Sequence, residues 1–182
     1  MKTLLLGGAL TLALIPSFGG AQVMTVTGSA GQSCYHSAQD RRHDAEAIAE
    51  CTAALNQSMT GSDRAGTFVN RGILYMLAGQ QDLALRDYNA AIGVDPTQAE
   101  AWLNEAVTMV NSGKGSTAID LADRSLRLRT QKPALAYYVR GLGHEQEGQA
   151  AAAYDDLRKA AALDPKWNEP AEQLKRYHVV ER

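Results

Sequence analysis

The sequence predicts an all-α fold, an α-solenoid of antiparallel helix pairs closed by a last helix. Three observations predict it. The chain is self-similar at one fixed period from Ala65 to Trp167. Glycine and proline recur at set places in the copies, where helix pairs must turn. Strand signals are almost absent after Thr27.

The central copy is AGTFVNRGILYMLAGQQDLALRDYNAAIGVDPTQ, residues 65–98. With Ala65 at position 1 of a 34-residue frame, small residues fall at positions 8, 20 and 27, namely Gly72, Ala84 and Ala91. Aromatic residues fall at positions 4, 11 and 24, namely Phe68, Tyr75 and Tyr88, with Gly79 at 15 and Pro96 at 32. The next frame starts at Ala99 and sets Trp102, Ala106, Met109, Gly113, Ala118, Ala122 and Ser125 at positions 4, 8, 11, 15, 20, 24 and 27. Thr130 holds its position 32, and Pro133 follows one residue past that frame. The copy starting at Ala134 has Tyr137, Gly141, His144, Gly148, Ala153, Leu157, Ala160 and Pro165 at positions 4, 8, 11, 15, 20, 24, 27 and 32.

This pattern resembles the tetratricopeptide repeat, over residues 65–167. The resemblance implies helix pairs stacked into a right-handed superhelix. The residue types fit that packing. Small residues at positions 8, 20 and 27 let neighbouring helices approach, and the large ones at 4, 11 and 24 fill the space left. Gly at position 15 ends the first helix of a pair in a conformation that costs other residues more. Asp95-Pro96 and Asp164-Pro165 stop the second, because a residue before proline avoids helical angles.

At 182 residues and 45% hydrophobic, the chain is long enough for one domain with a real core. Its net charge is −2, and −3 without residues 1–21, where Lys2 is the only charge. No basic stripe points to nucleic acid. Residues 1–21 have the anatomy of a secretory signal: Lys2, then an apolar run over residues 3–15, then Pro16 and the small residues Gly19, Gly20 and Ala21. The run is shorter than the ~20 residues that span a bilayer, so no stable membrane insertion of the mature chain is expected. No cysteine follows the small residues, which argues against a lipoprotein. The mature protein is expected from Gln22 onward, periplasmic or secreted.

Residues 22–31 are rich in Val, Thr, Ser and Gly without a period and read as a flexible leader. Residues 32–61 read as a degenerate first repeat, framed from Gly28, with Ala47 and Ala54 at positions 20 and 27. Its first helix is expected to be short, roughly residues 33–39, because Tyr35 replaces the small residue at position 8 and Arg42 the glycine at 15. Its second helix is amphipathic and capped by Asp44. Residues 60–64 read as a polar connector. Repeats follow at 65–98, 99–132 and 134–167. Residues 168–182 supply a closing helix to about His178, with Asn168 as its cap and Pro170 in its first turn.

The frame sets Cys34 at position 7 and Cys51 at position 24, which face each other across the two helices of one repeat. In an exported chain this pair reads as a structural disulfide, worth about 3 kcal/mol in the chain-entropy account. A redox pair would show Cys-x-x-Cys spacing. A metal site needs more ligands, and His36 and His43 lack finger spacing. Position 7 is Arg71 and Arg140 in the second and fourth repeats, and position 23 is Asp87 and Asp156, so ion pairs are expected there. Exposed, each would contribute ~0–1 kcal/mol. Glu105 and Leu121 hold these places in the third repeat.

No constellation supports catalysis, and neither cofactor nor metal is expected. Gly113-Lys114-Gly115-Ser116-Thr117 lacks the glycine spacing and the preceding strand of a phosphate-binding loop. Asp155 and Asp156 diverge by about 100° on a helix and form no dyad. His144 occupies a packing position, Ser33 and Ser125 have no histidine at a recognisable spacing, and Asn56-Gln57-Ser58 is a short, common sequon.

Proteins with this repeat are generally binding modules, in which positions 2, 5, 6, 9, 12 and 13 of the first helices line a concave groove. A carboxylate-gripping subclass uses lysine, arginine and asparagine at set groove positions; at those positions this chain has Val69, Ile73, Asn104, Leu135 and Val139, of which only Asn104 matches, so that clamp is rejected. The groove instead reads Val69, Ile73, Met76, Leu103, Val107, Val110, Leu135, Tyr138 and Leu142. Asn70, Asn104, Asn111, Glu145 and Gln146 are its polar positions. Open, that face would accept an apolar or amphipathic segment of a protein partner; the alternative is that neighbouring helices cover it. Two functions remain: a non-catalytic protein-binding adaptor or scaffold, or a self-associating structural protein that makes a homodimer through the same face.

Overall fold

The computed structural model describes residues 2–6 and 22–181, with side chains for residues 22–177. Residues 7–21, with the expected signal cleavage point, lie outside the described residues. Among the described residues the helices run α1 (Gln32–Gln39), α2 (Ala45–Leu55), α3 (Gly61–Leu77), α4 (Gln81–Val94), α5 (Ala99–Asn111), α6 (Gly115–Arg127), α7 (Pro133–Gln146), α8 (Ala150–Leu163) and α9 (Glu169–Leu174). None is long and apolar enough to cross a membrane. The chain divides into two compact units, residues 21–108 and residues 109–182 with 1–20.

In the first of these units, α1 is short, as its sequence implies. Asp44 caps α2 by accepting the Ala47 N–H at 2.9 Å. Cys34 and Cys51 are bridged, with Cα atoms 4.5 Å apart, and are fully buried with Ala38, Ala47 and Leu74. Residues 60–64 are not a connector. Thr60 caps α3, its hydroxyl accepting the Asp63 N–H at 3.1 Å and donating to Asp63 Oδ2 at 2.9 Å. This reciprocal cap starts the helix four residues ahead of the repeat frame. The α3–α4 pair closes around Tyr88, 1% exposed, which lies against Gly72. A methyl group on Gly72 would sit 2.5 Å from the Tyr88 ring, so the frame's small residue at this place is a steric requirement.

The first helices of the pairs end alike. Gly79, Gly113 and Gly148 have φ of 73°, 71° and 71°, and the next N–H in each case reaches back into the helix, as Gln80 does to the Tyr75 carbonyl at 2.8 Å. In the first repeat the left-handed residue is Arg41, φ 57°, not the Arg42 that the frame indicates. Arg129 takes the same conformation after α6.

In the second unit, α6 and α7 cross where Gly115 and Gly143 meet; a methyl on Gly115 would lie 2.7 Å from the Gly143 carbonyl oxygen. The Ser116 N–H donates to Glu147 Oε1 at 2.9 Å. The lysine-glycine stretch is therefore a turn and a packed helix start. The closing helix is shorter than its sequence suggests. Asn168 sits at the cap position and Pro170 in the first turn, but α9 stops at Leu174. From Tyr177 the chain is extended as β2 (Tyr177–Glu181), paired antiparallel with β1 (Lys2–Leu6). An aromatic and β-branched run at Tyr177, Val179 and Val180 favours this over helix.

Candidate functional site

The residues that read as a flexible leader are docked. Residues 22–27 form neither helix nor paired strand and lie against α3 and the first turns of α5. Asn70, fully buried on α3, accepts the Met24 N–H on its Oδ1 and donates its Nδ2 to the Met24 carbonyl, both at 2.7 Å. Asn104, 2% exposed on α5, does the same to Gln22, at 3.1 and 3.2 Å. A carboxamide carries one acceptor and two donors. It therefore reproduces the paired bonds that a neighbouring strand would make. Alternate residues of an extended chain offer their backbone on the same side, which is why residues 22 and 24 pair and residue 23 does not. The two asparagines read main chain and are indifferent to side-chain identity.

Past the asparagines the fit depends on side chains. Val26 is 3% exposed. A methyl on Gly66 of α3 would come within 3.4 Å of Met24 Cβ and Val26 Cγ2, and a methyl on Gly31 would lie 2.4 Å from Val26 Cγ1. The missing side chain at Gly31 makes the seat, whereas a methyl on Gly66 would only touch the segment. Asp63 then receives the Thr27 N–H at 2.9 Å and the Thr27 hydroxyl at 3.1 Å on Oδ1. The Thr27 N–H is the main cause that holds the Asp63 carboxyl below its usual pKa; burial opposes it, and the Thr60 and Thr27 hydroxyls add to it.

The apolar stripe expected as a partner groove is not an open surface. Val69, Ile73, Leu103, Val107 and Val110 are all at most 5% exposed. Val69 and Ile73 belong to a buried cluster with Ala65, Ala84 and Tyr88, against which Val23 and Met24 pack. Met76 is half-buried, its sulfur 3.4 Å from the Thr108 hydroxyl. In the other unit, Tyr138 and Leu142 are 1% and 5% exposed, and Leu135 is half-buried. Trp167 meets Tyr138 edge-on with ring centroids 4.8 Å apart, and burial pushes the Tyr138 hydroxyl up to about 12. Glu145 accepts from the Tyr177 hydroxyl at 2.5 Å, and Gln146 donates to the Val110 carbonyl at 2.7 Å. Asn111 is half-buried. The expected residues thus lie in two units, and most form core.

Of the predicted polar positions, Asn70 and Asn104 are the ones the docked segment uses. Sequence reasoning missed Asp63, Gly66, Val26 and Thr27. The signals were there: a Thr-x-x-Asp cap, a glycine at position 2 of a first helix, and a β-branched run at Val23, Thr25, Val26 and Thr27. Among the described residues, no group of three or more His, Cys, Asp and Glu side chains could hold a metal ion.

Comparison with solved structures decides the fold. A structure titled "Crystal structure of MamA" matches with a TM-score of 0.64 at 21% identity, over 78% of this chain and 80% of that one. The fold is of the tetratricopeptide type. A second structure, titled "MamA RS-1 ArsTM double mutant", matches with a TM-score of 0.65 at 16% identity, over 81% of this chain and 82% of that one. No protein-family model matches the chain. At these identities the likeness concerns the helical solenoid architecture, in agreement with the repeat frame.

Proposed function

We propose that this protein is a non-catalytic, exported adaptor that binds an extended segment of a partner protein in the groove between α3 and the first turns of α5. One observation carries the reading. Buried Asn70 and Asn104 pair the main chain of an extended segment at alternate residues. Buried carboxamides are costly unless their hydrogen bonds are made, so these two residues favour an occupant whose main chain is free to bond at alternate residues. The likeness to MamA supports a scaffold. The partner segment is apolar at alternate positions and extended, rather than an amphipathic helix.

The test uses the purified protein as bait in the exported fraction. Wild type is expected to capture a protein that Asn70→Ala/Asn104→Ala, if folded by circular dichroism, does not. Capture of the same protein by that variant would place the contact elsewhere.

Self-association is the second reading. The segment seated in the groove belongs to this chain, so every copy carries a sequence that fits it. Light scattering across a concentration series distinguishes the two. A mass fixed at one chain removes the homo-oligomer.

A further inference from the structure

We propose that residues 22–27 are a built-in competing ligand, and that the partner they stand in for is an extended peptide with a β-branched apolar residue followed by threonine or serine. This rests on the reading of the α3–α5 groove as a peptide site, and adds to it a sequence preference and a means of control.

The sequence preference follows from how unevenly the segment is held. At residues 22 and 24 the contacts are to main chain, so many side chains fit. Residue 26 sits where Gly31 leaves room for a short branched side chain, with Gly66 at contact distance beside it. Residue 27 meets the Asp63 carboxylate with both its N–H and its hydroxyl. A carboxylate accepts, so a hydroxyl donor is favoured there and an acidic residue repelled.

The control follows from where the segment's contacts go. They are to residues 36 to 82 positions away in sequence, on α3 and α5, and one end of the segment is the expected mature terminus. It buries one large side chain to below a tenth exposure, Val26. Elements with few buried apolar contacts open before the core does. A groove that is mostly filled by its own segment binds a competitor with an affinity reduced by the fraction that is free. Displacement of the segment is therefore part of partner binding.

The probe is the synthetic peptide of residues 21–28, AQVMTVTG, labelled at its C-terminus and followed by fluorescence anisotropy. The host is the full chain, as wild type and as Val26→Asp or Thr27→Pro, changes that unseat the segment without touching α3 or α5. Both variants are expected to bind the peptide at least ten-fold more tightly than wild type. N-methylation of the peptide at Met24 removes the donor to Asn70 and is expected to abolish binding, whereas alanine at Gln22 is expected to be tolerated. Equal binding by wild type and folded variants, or none by either, overturns the proposal. Hydrogen exchange of the wild type gives an answer that needs no variant: the Met24 and Thr27 amides are expected to exchange faster than core amides of α3. Exchange of both only at the rate of global unfolding would make the segment a fixed part of the fold and overturn the proposal, while leaving an adaptor with another contact surface possible. A segment that opens and a peptide that binds, with no protein captured from the exported fraction, would sink the adaptor reading alone.

Discussion

Arg71 grips both carboxylate oxygens of Asp87, through Nε at 2.7 Å and Nη2 at 2.8 Å, across the two helices of one repeat. Arg140 does the same to Asp156 in the fourth repeat, at 2.8 Å for each bond. In the sequence frame read from Gly28, Cys34 of the disulfide holds the position that Arg71 holds in its own frame. The expectation of exposed pairs of little value needs correction, because the Asp87 side chain is 6% exposed and that of Arg71 16%. Hydrogen bonds from Arg71 to Asp87 raise the Arg71 pKa further, against the opposing effect of burial.

Breaking the pair on one side strands a charge. Asp87→Ala is expected to cost about 3 kcal/mol, near the lower end for buried pairs because water still reaches the arginine. The double change Arg71→Met/Asp87→Leu is expected to cost less than Asp87→Ala alone. Urea denaturation measures both. A loss below about 1 kcal/mol for Asp87→Ala would show that the pair behaves as a surface contact.

Gly72 and Gly79 are both fixed, for different reasons. Gly72→Leu drives a side chain into the Tyr88 ring and is expected to cost at least about 1–3 kcal/mol. Gly79 has open space around it but a φ of 73°, so Gly79→Ala is expected to cost about 1 kcal/mol through the backbone alone. Replacing Gly79 by asparagine should recover part of that loss, while at Gly72 even alanine should destabilise, because its methyl meets the Tyr88 ring. Melting temperatures of these variants decide between the two causes.

The repeat frame was legible because it is a packing rule: Gly72, Ala84 and Ala91 are small where helices touch, and Gly79, Gly113 and Gly148 are glycine where φ is positive. The disulfide was legible from the same frame. The leader was legible only in part: its β-branched run was there to read, but Asn70 and Asn104 bond to main chain, which leaves no signature in side-chain pattern. The stripe from Val69 to Val110 looked like a groove because position numbers say which way a residue faces but not what covers it. Val107 illustrates the difference. At 5% exposure, Val107→Glu buries an unpartnered carboxylate and is expected to destabilise the protein by several kcal/mol. A folded variant of unchanged melting temperature would show that the side chain reaches water.

Reduction of the Cys34–Cys51 bridge should loosen α1 and α2 first. The loop it closes spans 17 residues, and its loss is expected to cost about 3 kcal/mol. With α1 this short, amide exchange in α1 and α2 should rise with reductant before that in α4. Alkylation without reductant should label neither cysteine in protein from an oxidising compartment. Labelling of both in folded protein would remove the bridge from the account.

Acid should unseat the docked segment only at low pH. The Asp63 carboxyl is held below the ordinary aspartate value of 3.8, mainly by the Thr27 N–H. A carboxyl whose pKa is lowered by docking favours the docked state once ionised. That stabilisation is complete above the undocked pKa and is lost as pH falls through the docked one. The segment should therefore stay seated from about pH 8 to about pH 5 and loosen only below about pH 4. The amide proton of Thr27, followed by NMR, reports this as a titration step with a midpoint under 3.8. Asp63→Asn keeps the shape and removes the titrating group, so the step should vanish while the segment is held more weakly at every pH. A step centred above about pH 5, or one that persists in Asp63→Asn, would show that another group controls the seat.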